Sequence, residues 1–331
     1  MLERDLRARK CFQDHGVCLT MATLLTSFKR PTMTNTIFRA TVLSFCLTTL
    51  GMSAMAQSSP TLKKIADTGT ISLGHRESSI PFSYYDDQQK VVGYSHELML
   101  KAVEAIKAEL KKPALAIKLV PVTSQNRIPL VLNGTVDLEC GSTTHNKERA
   151  RQVDFSTTIF IIGTRLMTRK DSGVQDFADL KGKNVVVTAG TTSERRLRKF
   201  NVDSKLGMSI ISAKDHGESF LTLETGRAVA FMMDDALLFG EKAKAKKPDD
   251  WVIVGKPMSF EPYACMMRKA DPIFKKLVDG ALAKAMVSGE AKKIYDKWFH
   301  APIPPKGLNL NWAISGANTA LFSAPTDKPM D

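Results

Sequence analysis

Three arginines in this sequence stand where an apolar run gives way to polar residues. Arg76 follows "TISLGH", Arg127 follows "VTSQN", and Arg149 comes shortly after Gly141, Ser142 and Thr144 in "CGSTTHNKERARQ". A helix N-terminus carries about half a positive charge, so an arginine in a first turn is unfavourable by about 0.3–1 kcal/mol unless an anion sits nearby. Ser142, Thr144 and the backbone N–H groups beside them would donate to one carboxylate while Arg149 grips it in a two-pronged pair. A helix cap beside a solvated arginine explains the same stretch, and Arg151, on another face, is expected to be solvated. Ser124 reads as the N-cap of a helix that holds Arg127 in its first turn and ends at Gly134.

The second half of the chain carries a matching set. "TAGTTSE" places Thr191 and Glu194 at capping-box spacing, with Thr192 and Ser193 offering donors, and "AKDHGES" does the same with Asp215 and Glu218, leaving His216 in the first turn. Capping alone accounts for these equally well. In "FMMDDALL" Asp235 suits the cap, so Asp234, at the end of a buried strand, needs another partner, either a ligand ammonium or a nearby lysine. Pro81, Phe82, Tyr84 and Tyr85 would form a wall near Arg76 or simply join the core, and His75 packs or caps. Arginines, a histidine, hydroxyls and one aspartate accommodate two carboxylates and an ammonium, the groups of an acidic amino acid. No pair of acids or activated nucleophile accompanies them, which leaves little to stage a reaction.

These residues need a scaffold that puts strand ends and helix starts in one place. Strand-like runs at 70–75, 117–122, 136–141, 184–190, 208–212, 229–234 and 263–269 alternate with helical ones, which predicts α/β with mostly parallel sheets. In open sheets of this kind ligands bind beyond the carboxyl ends of the strands. "LVLNGTVDLECG" and "TLETGRAVAFMMD" echo each other as helix end, glycine and buried strand, and suggest two lobes built alike. The stretches 160–168 and 252–260 are the candidate crossings, after which "GEAKKIYDKWF" packs back on the first lobe.

With 331 residues and 43% apolar side chains the chain can bury proper cores. "MTNTIFRATVLSFCLTTLGMSAMAQ", from Met33, reads as a secretory signal peptide cleaved after Ala56, with Met33 the true start and residues 1–32 an upstream extension. Removing residues 1–56 takes away seven Lys/Arg and three acids, so the formal charge falls from +13 to +9. A basic exported chain suits small acidic ligands better than nucleic acid. Cys140 and Cys265 survive cleavage and form either a disulfide or two buried thiols. No Cys/His spacing resembles a metal site, and no cofactor is expected.

"GHRESSIPFSYYDDQQKVVGYS", "TSQNRIPLVLNGT", "CGSTTHNKERARQVDFS", "GTTSE", "AKDHGESF", "GRAVAFMMDDALL" and "DKWFHAPIPPKGLN" carry a specific resemblance. From about Thr61 to Asp331 the chain resembles the periplasmic glutamate/aspartate-binding proteins of ABC importers, within the polar amino-acid solute-binding family. The resemblance implies an α/β, two-lobed venus-flytrap fold of the type II periplasmic binding protein kind, each lobe a mixed sheet flanked by helices. Lobe one would comprise 57–163 and 258–331, and lobe two 164–257, with the ligand cleft between them. It also implies that Ser142, Thr144 and Arg149, helped by Thr192, hold an α-carboxylate, that Asp234 takes the α-ammonium, and that Arg76, Ser124, Arg127 and His216 grip a side-chain carboxylate. The expected protein is a periplasmic monomer that hands L-glutamate or L-aspartate to a membrane permease. The alternative is a dehydratase-like periplasmic enzyme on the same scaffold, with His216 or Glu77 as its acid.

Overall fold

The computed structural model describes residues 58–329. The expected leader and its cleavage site at Ala56 lie outside the described residues.

Helix α1 (Pro60–Thr68) leads into β1 (Thr70–His75), followed by a small antiparallel sheet of β2 (Ser78–Ser79), β3 (Ser83–Tyr85) and β4 (Val91–Val92). Helix α2 (Tyr94–Glu109) returns the chain to β5 (Ala116–Pro121), which pairs parallel to β1. Then come α3 (Arg127–Leu132), β6 (Leu138–Glu139), α4 (Lys147–Ala150) and the long β7 (Asp154–Arg169). The next run is β8 (Asn184–Thr188), α5 (Thr192–Asp203), β9 (Ser209–Ala213), α6 (His216–Glu224), β10 (Ala230–Asp234), α7 (Asp235–Lys244) and β11 (Trp251–Val254). Strand β12 (Phe260–Met267) and helices α8 (Pro272–Val287), α9 (Glu290–Phe299) and α10 (Gly316–Ser323) complete the fold.

The main sheet runs β5-β1-β6-β12-β7-β10-β8-β9, with β11 also on β7. Strand β7 serves both halves. Its first part lies antiparallel to β12, from Asp154 opposite Met267 to Gly163 opposite Phe260, and its second part pairs with β10, beginning at Thr164 opposite Asp234. The chain therefore has two mixed sheets joined by a shared strand, and the expected crossing at 160–168 spans the change of partners within a strand that starts earlier, at Asp154.

The echo seen in the sequence is a repeat in three dimensions. Just past the caps Asn133 of α3 and Thr225 of α6 stand Gly134 and Gly226, with φ of +78° and +76°, a region that glycine enters without steric cost. Each glycine turns the chain into a strand, β6 or β10, that takes a central place in its half-sheet.

The first half closes around aromatic rings: Phe82 packs edge-on to Phe160 and Tyr263, and Phe160 stacks on Phe299. Phe82 and Tyr84 are thus core residues, and Tyr84 donates its hydroxyl to Pro304 O. A smaller cluster of Leu166, Val185, Val187, Leu197 and Met232 fills the second half.

Cys140, just past β6, and Cys265 in β12 are joined in a disulfide across a sequence separation of 125. A cross-link closing so long a loop withholds much entropy from the unfolded chain. Replacing both cysteines with serine should lower the unfolding free energy by about 2–4 kcal/mol, read as a lower urea midpoint.

Candidate functional site

The carboxyl ends of β1, β6, β8 and β10 and the starts of α3, α5 and α6 converge on one buried region. Arg76 follows β1 directly, and its backbone N–H donates to Ser83 Oγ at 3.0 Å. Arg127 opens α3, and its Nη1 donates to Thr143 Oγ1 at 2.5 Å and to Ser142 O at 3.3 Å. Arg149, in the short α4, donates through Nη1 to Thr144 O at 3.0 Å and through Nη2 to Gly190 O at 3.3 Å. Gly190 belongs to the other half, and Thr144 Oγ1 likewise lies 3.5 Å from Thr192 Oγ1. Arg76, Ser124, Arg127, Ser142, Thr144, Arg149, Thr192, His216 and Asp234 are all buried. Arg151 is exposed, as expected.

Two capping assignments need correction. Ser124 does not cap α3. The N-cap is Asn126, whose side chain accepts from Thr123 N–H at 2.8 Å while Thr123 Oγ1 accepts from Asn126 N–H at 3.2 Å. That exchange closes the turn without Ser124, whose buried hydroxyl has no hydrogen-bond partner among the described residues. Asp235 is not the cap of α7 either: Asp234 holds the cap position with its backbone, while Asp235 lies in the first turn. The side chain of Asp234 turns away and accepts from Thr164 Oγ1 at 2.6 Å and from the Tyr263 hydroxyl. Hydroxyls thus fill the place foreseen for a lysine. Thr191 and Asp215 do cap α5 and α6, accepting from Glu194 N–H and Glu218 N–H.

Several donors in this region meet no acceptor among the described residues: Arg76 Nη1, Arg127 Nε and Ser124 Oγ are buried without a partner there, as is His216 Nε2. The proton of His216 can be traced. Ser219 Oγ donates to Asp215 O at 2.8 Å, so it accepts from Thr188 Oγ1, which in turn accepts from His216 Nδ1–H at 2.8 Å. Nε2 is left as the free ring nitrogen, and the charges that act most on the ring are those of Arg76 and Arg127.

Burial lowers the Arg76 guanidinium to about 10, and the neighbouring Arg127 charge adds to this against the opposing pull of Glu139. Arg149 falls to about 9 by burial and by Arg127 and Arg195. His216 is driven well below the usual imidazole range by burial and by Arg76 and Arg127. Asp234 is pushed up to about 7 by burial and by Glu261, against the hydrogen bonds from Thr164 and Tyr263. Cations crowd one part of the region and a reluctant acid stands in another. An anionic group beside the arginines and a cationic group beside Asp234 would relieve both.

Sequence reasoning did not find Thr143, Glu139, Thr164, Tyr263 and Glu261, which touch or face this set. Thr143 sat in plain view between Ser142 and Thr144. Tyr263 comes from 119 positions beyond Thr144, to which it is bridged in the sheet, and no local pattern marks that pairing.

Two α/β halves on a shared strand, with buried charged groups gathered at their strand ends, define a solute-binding protein of type II topology. The family model for bacterial extracellular solute-binding proteins, family 3, matches residues 71–301, and the chain belongs to that family. It is 65% identical over 271 residues to the glutamate/aspartate import solute-binding protein of Salmonella typhimurium, covering 82% of this chain and 90% of the relative. It is also 65% identical over 269 residues to the L-glutamate/L-aspartate-binding protein of Pseudomonas aeruginosa, covering 81% and 89%. Among solved structures, an ancestral arginine-binding protein bound to arginine superposes with a TM-score of 0.63 at 29% identity, covering 70% of this chain and 98% of that one. A second, an ancestral amino-acid-binding protein described as a precursor of cyclohexadienyl dehydratase, gives a TM-score of 0.61 at 27% identity, covering 73% and 99%. The 65% identical relatives are solute-binding proteins, and the enzymatic alternative is set aside. No helix among the described residues is long and apolar enough to cross a membrane.

Proposed function

We infer that this protein captures L-glutamate or L-aspartate in the periplasm and delivers it, as a monomer, to the permease of an ABC importer. The observation that carries the reading is the set of buried, unpartnered donors on Arg76, Arg127 and Ser124 beside His216 Nε2. A charge-bearing donor buried without an acceptor is costly, and an acidic side chain supplies the acceptor. Arg76, Ser124, Arg127 and His216 hold the side-chain carboxylate, with His216 donating from Nε2 once it is protonated. Ser142, Thr144, Arg149 and Thr192 hold the α-carboxylate, and Asp234 takes the α-ammonium.

Lobe one is 57–163 with 258–331, and lobe two is 164–257. The change of β7 partners between Gly163 and Thr164 supports that division. Ligand docks on lobe one, and contacts with Thr192, His216 and Asp234 reward closure. The links from Arg149 to Gly190 and from Thr144 to Thr192 fit a closed cleft. Calorimetry with glutamate, aspartate, glutamine and asparagine tests the reading. Both acids should bind far more tightly than their amides, and glutamine binding within about tenfold of glutamate would refute the Arg76/Arg127 assignment.

A further inference from the structure

Glu139 has no part in the roles above, yet it lies against both arginines assigned to the ligand side chain. It ends β6 and is fully buried. Its Oε2 accepts from Thr143 Oγ1 at 2.8 Å, and the same Thr143 oxygen accepts from Arg127 Nη1 at 2.5 Å. Its Oε1 has no hydrogen-bond partner among the described residues. Two glycines make the space. A Cβ on Gly141 would stand 2.9 Å from Glu139 Oε1 and 2.8 Å from Arg76 Cγ, and one on Gly74 would stand 2.9 Å from Glu139 Cγ. Neither glycine has a positive φ, so what bars a side chain there is the room taken by Glu139 and Arg76.

A carboxylate beside cations that await an anion competes with that anion, so its presence needs a reason. The charge count gives one. With ligand bound and His216 protonated, Arg76, Arg127 and His216 bring three positive charges to the side-chain pocket, and Glu139 and the facing Asp215 return two, which leaves a single charge to be matched. Elsewhere the count closes without it: Arg149 matches the α-carboxylate, Asp234 the ammonium, and buried Glu261 is paired with Arg196 at 3.1 Å. In a site sealed from water, an uncompensated charge of either sign is heavily penalised.

We propose that Glu139 determines specificity by holding the side-chain pocket at one net positive charge, so that side chains with one negative charge are accepted and dianionic ones are rejected. The inference rests on the ligand assignment of the preceding section. Carboxylates and sulfonates belong to the first class and phosphate monoesters to the second.

Calorimetry on wild type, Glu139→Gln and Thr143→Val with L-glutamate, L-cysteate and O-phospho-L-serine at pH 7.5 tests it. The phosphate of phosphoserine loses its second proton near pH 6, so at pH 7.5 it is close to dianionic. Wild type should prefer cysteate, and Glu139→Gln should raise the phosphoserine-to-cysteate affinity ratio by about tenfold or more. Thr143→Val cuts the link between Arg127 and Glu139 but keeps the charge. It should weaken both ligands alike and leave the ratio unmoved, which separates charge matching from a merely structural role.

Should Glu139→Gln fail to fold, wild type alone decides. Its phosphoserine-to-cysteate ratio should fall as pH rises through about 6, where phosphoserine gains its second charge. Arg76, Arg127 and Asp215 also face the pocket, and any loss of the His216 proton makes it less positive, which moves the ratio further in the same downward direction. A flat ratio, or a folded Glu139→Gln with the wild-type ratio, overturns the proposal. Wild type that binds no glutamate would take down the ligand assignment instead, and the proposal with it.

Discussion

Arg76→Ala should weaken glutamate and aspartate by about a hundredfold while leaving glutamine within a few-fold of its already poor wild-type value, whereas Arg149→Ala should weaken all of them alike. Hydrogen bonds to charged groups contribute about 1.5–3 kcal/mol each, so losing a guanidinium from the side-chain carboxylate costs about 3 kcal/mol. Glutamine offers that guanidinium no charge to meet and has little to lose. Arg149 differs because it would serve the α-carboxylate that every amino acid carries. The ligand-free protein supplies a second readout. Burial lowers the proton affinity of both Arg76 and Arg127, and the Arg127 charge takes Arg76 down further, to about 10. Truncating Arg76 removes a buried cation, so the melting temperature without ligand should hold or rise while the increase produced by saturating glutamate collapses. Equal losses for glutamine and glutamate in Arg76→Ala would sink the assignment.

The elements that hold these groups were legible because each obeys a local rule. Apolar runs ended in polar residues at 70–75, 184–190 and 229–234, and strands stand there. Gly134 and Gly226 marked two helix ends of the same build, and both take the left-handed conformation that only glycine adopts freely. The arginines stood out because a cation in a first helical turn runs against the helix dipole. What local rules could not reach was the identity of the partners. Ser124 looked like a cap by position, but Thr123 and Asn126 satisfy each other over the same three-residue span. Asp234 was rightly read as needing a partner, yet the partners are Thr164 and Tyr263, which the sheet brings in from β7 and β12. Glu139 reads locally as part of a buried strand, because its importance lies in Gly74 and Arg76 at the end of β1 and in Arg127 of α3, segments that only the fold brings to it.

The ratio of glutamate to glutarate affinity should rise about tenfold per pH unit up to about 7 and level off above it. Burial and Glu261 push the Asp234 carboxyl up to about 7, so in more acidic solution the ligand-free protein carries it protonated. An ammonium needs the carboxylate, and its binding must expel that proton, which costs more the lower the pH. Glutarate has both carboxylates but no ammonium and expels nothing at Asp234. Both ligands meet the same His216, so its titration drops out of the ratio. The sign for stability is opposite. Between the ordinary carboxylate range and about 7 the native state holds a proton that the unfolded chain has released, so this group's contribution to ligand-free stability falls as pH rises through that window. Asp234→Asn has no such proton. Its stability relative to wild type should improve as pH rises from about 4 to about 7, while its glutamate-to-glutarate ratio stays flat. If wild type also gives a flat ratio, Asp234 does not meet the ammonium, and the donor hydroxyls of Thr164 and Tyr263 are then a structural network alone.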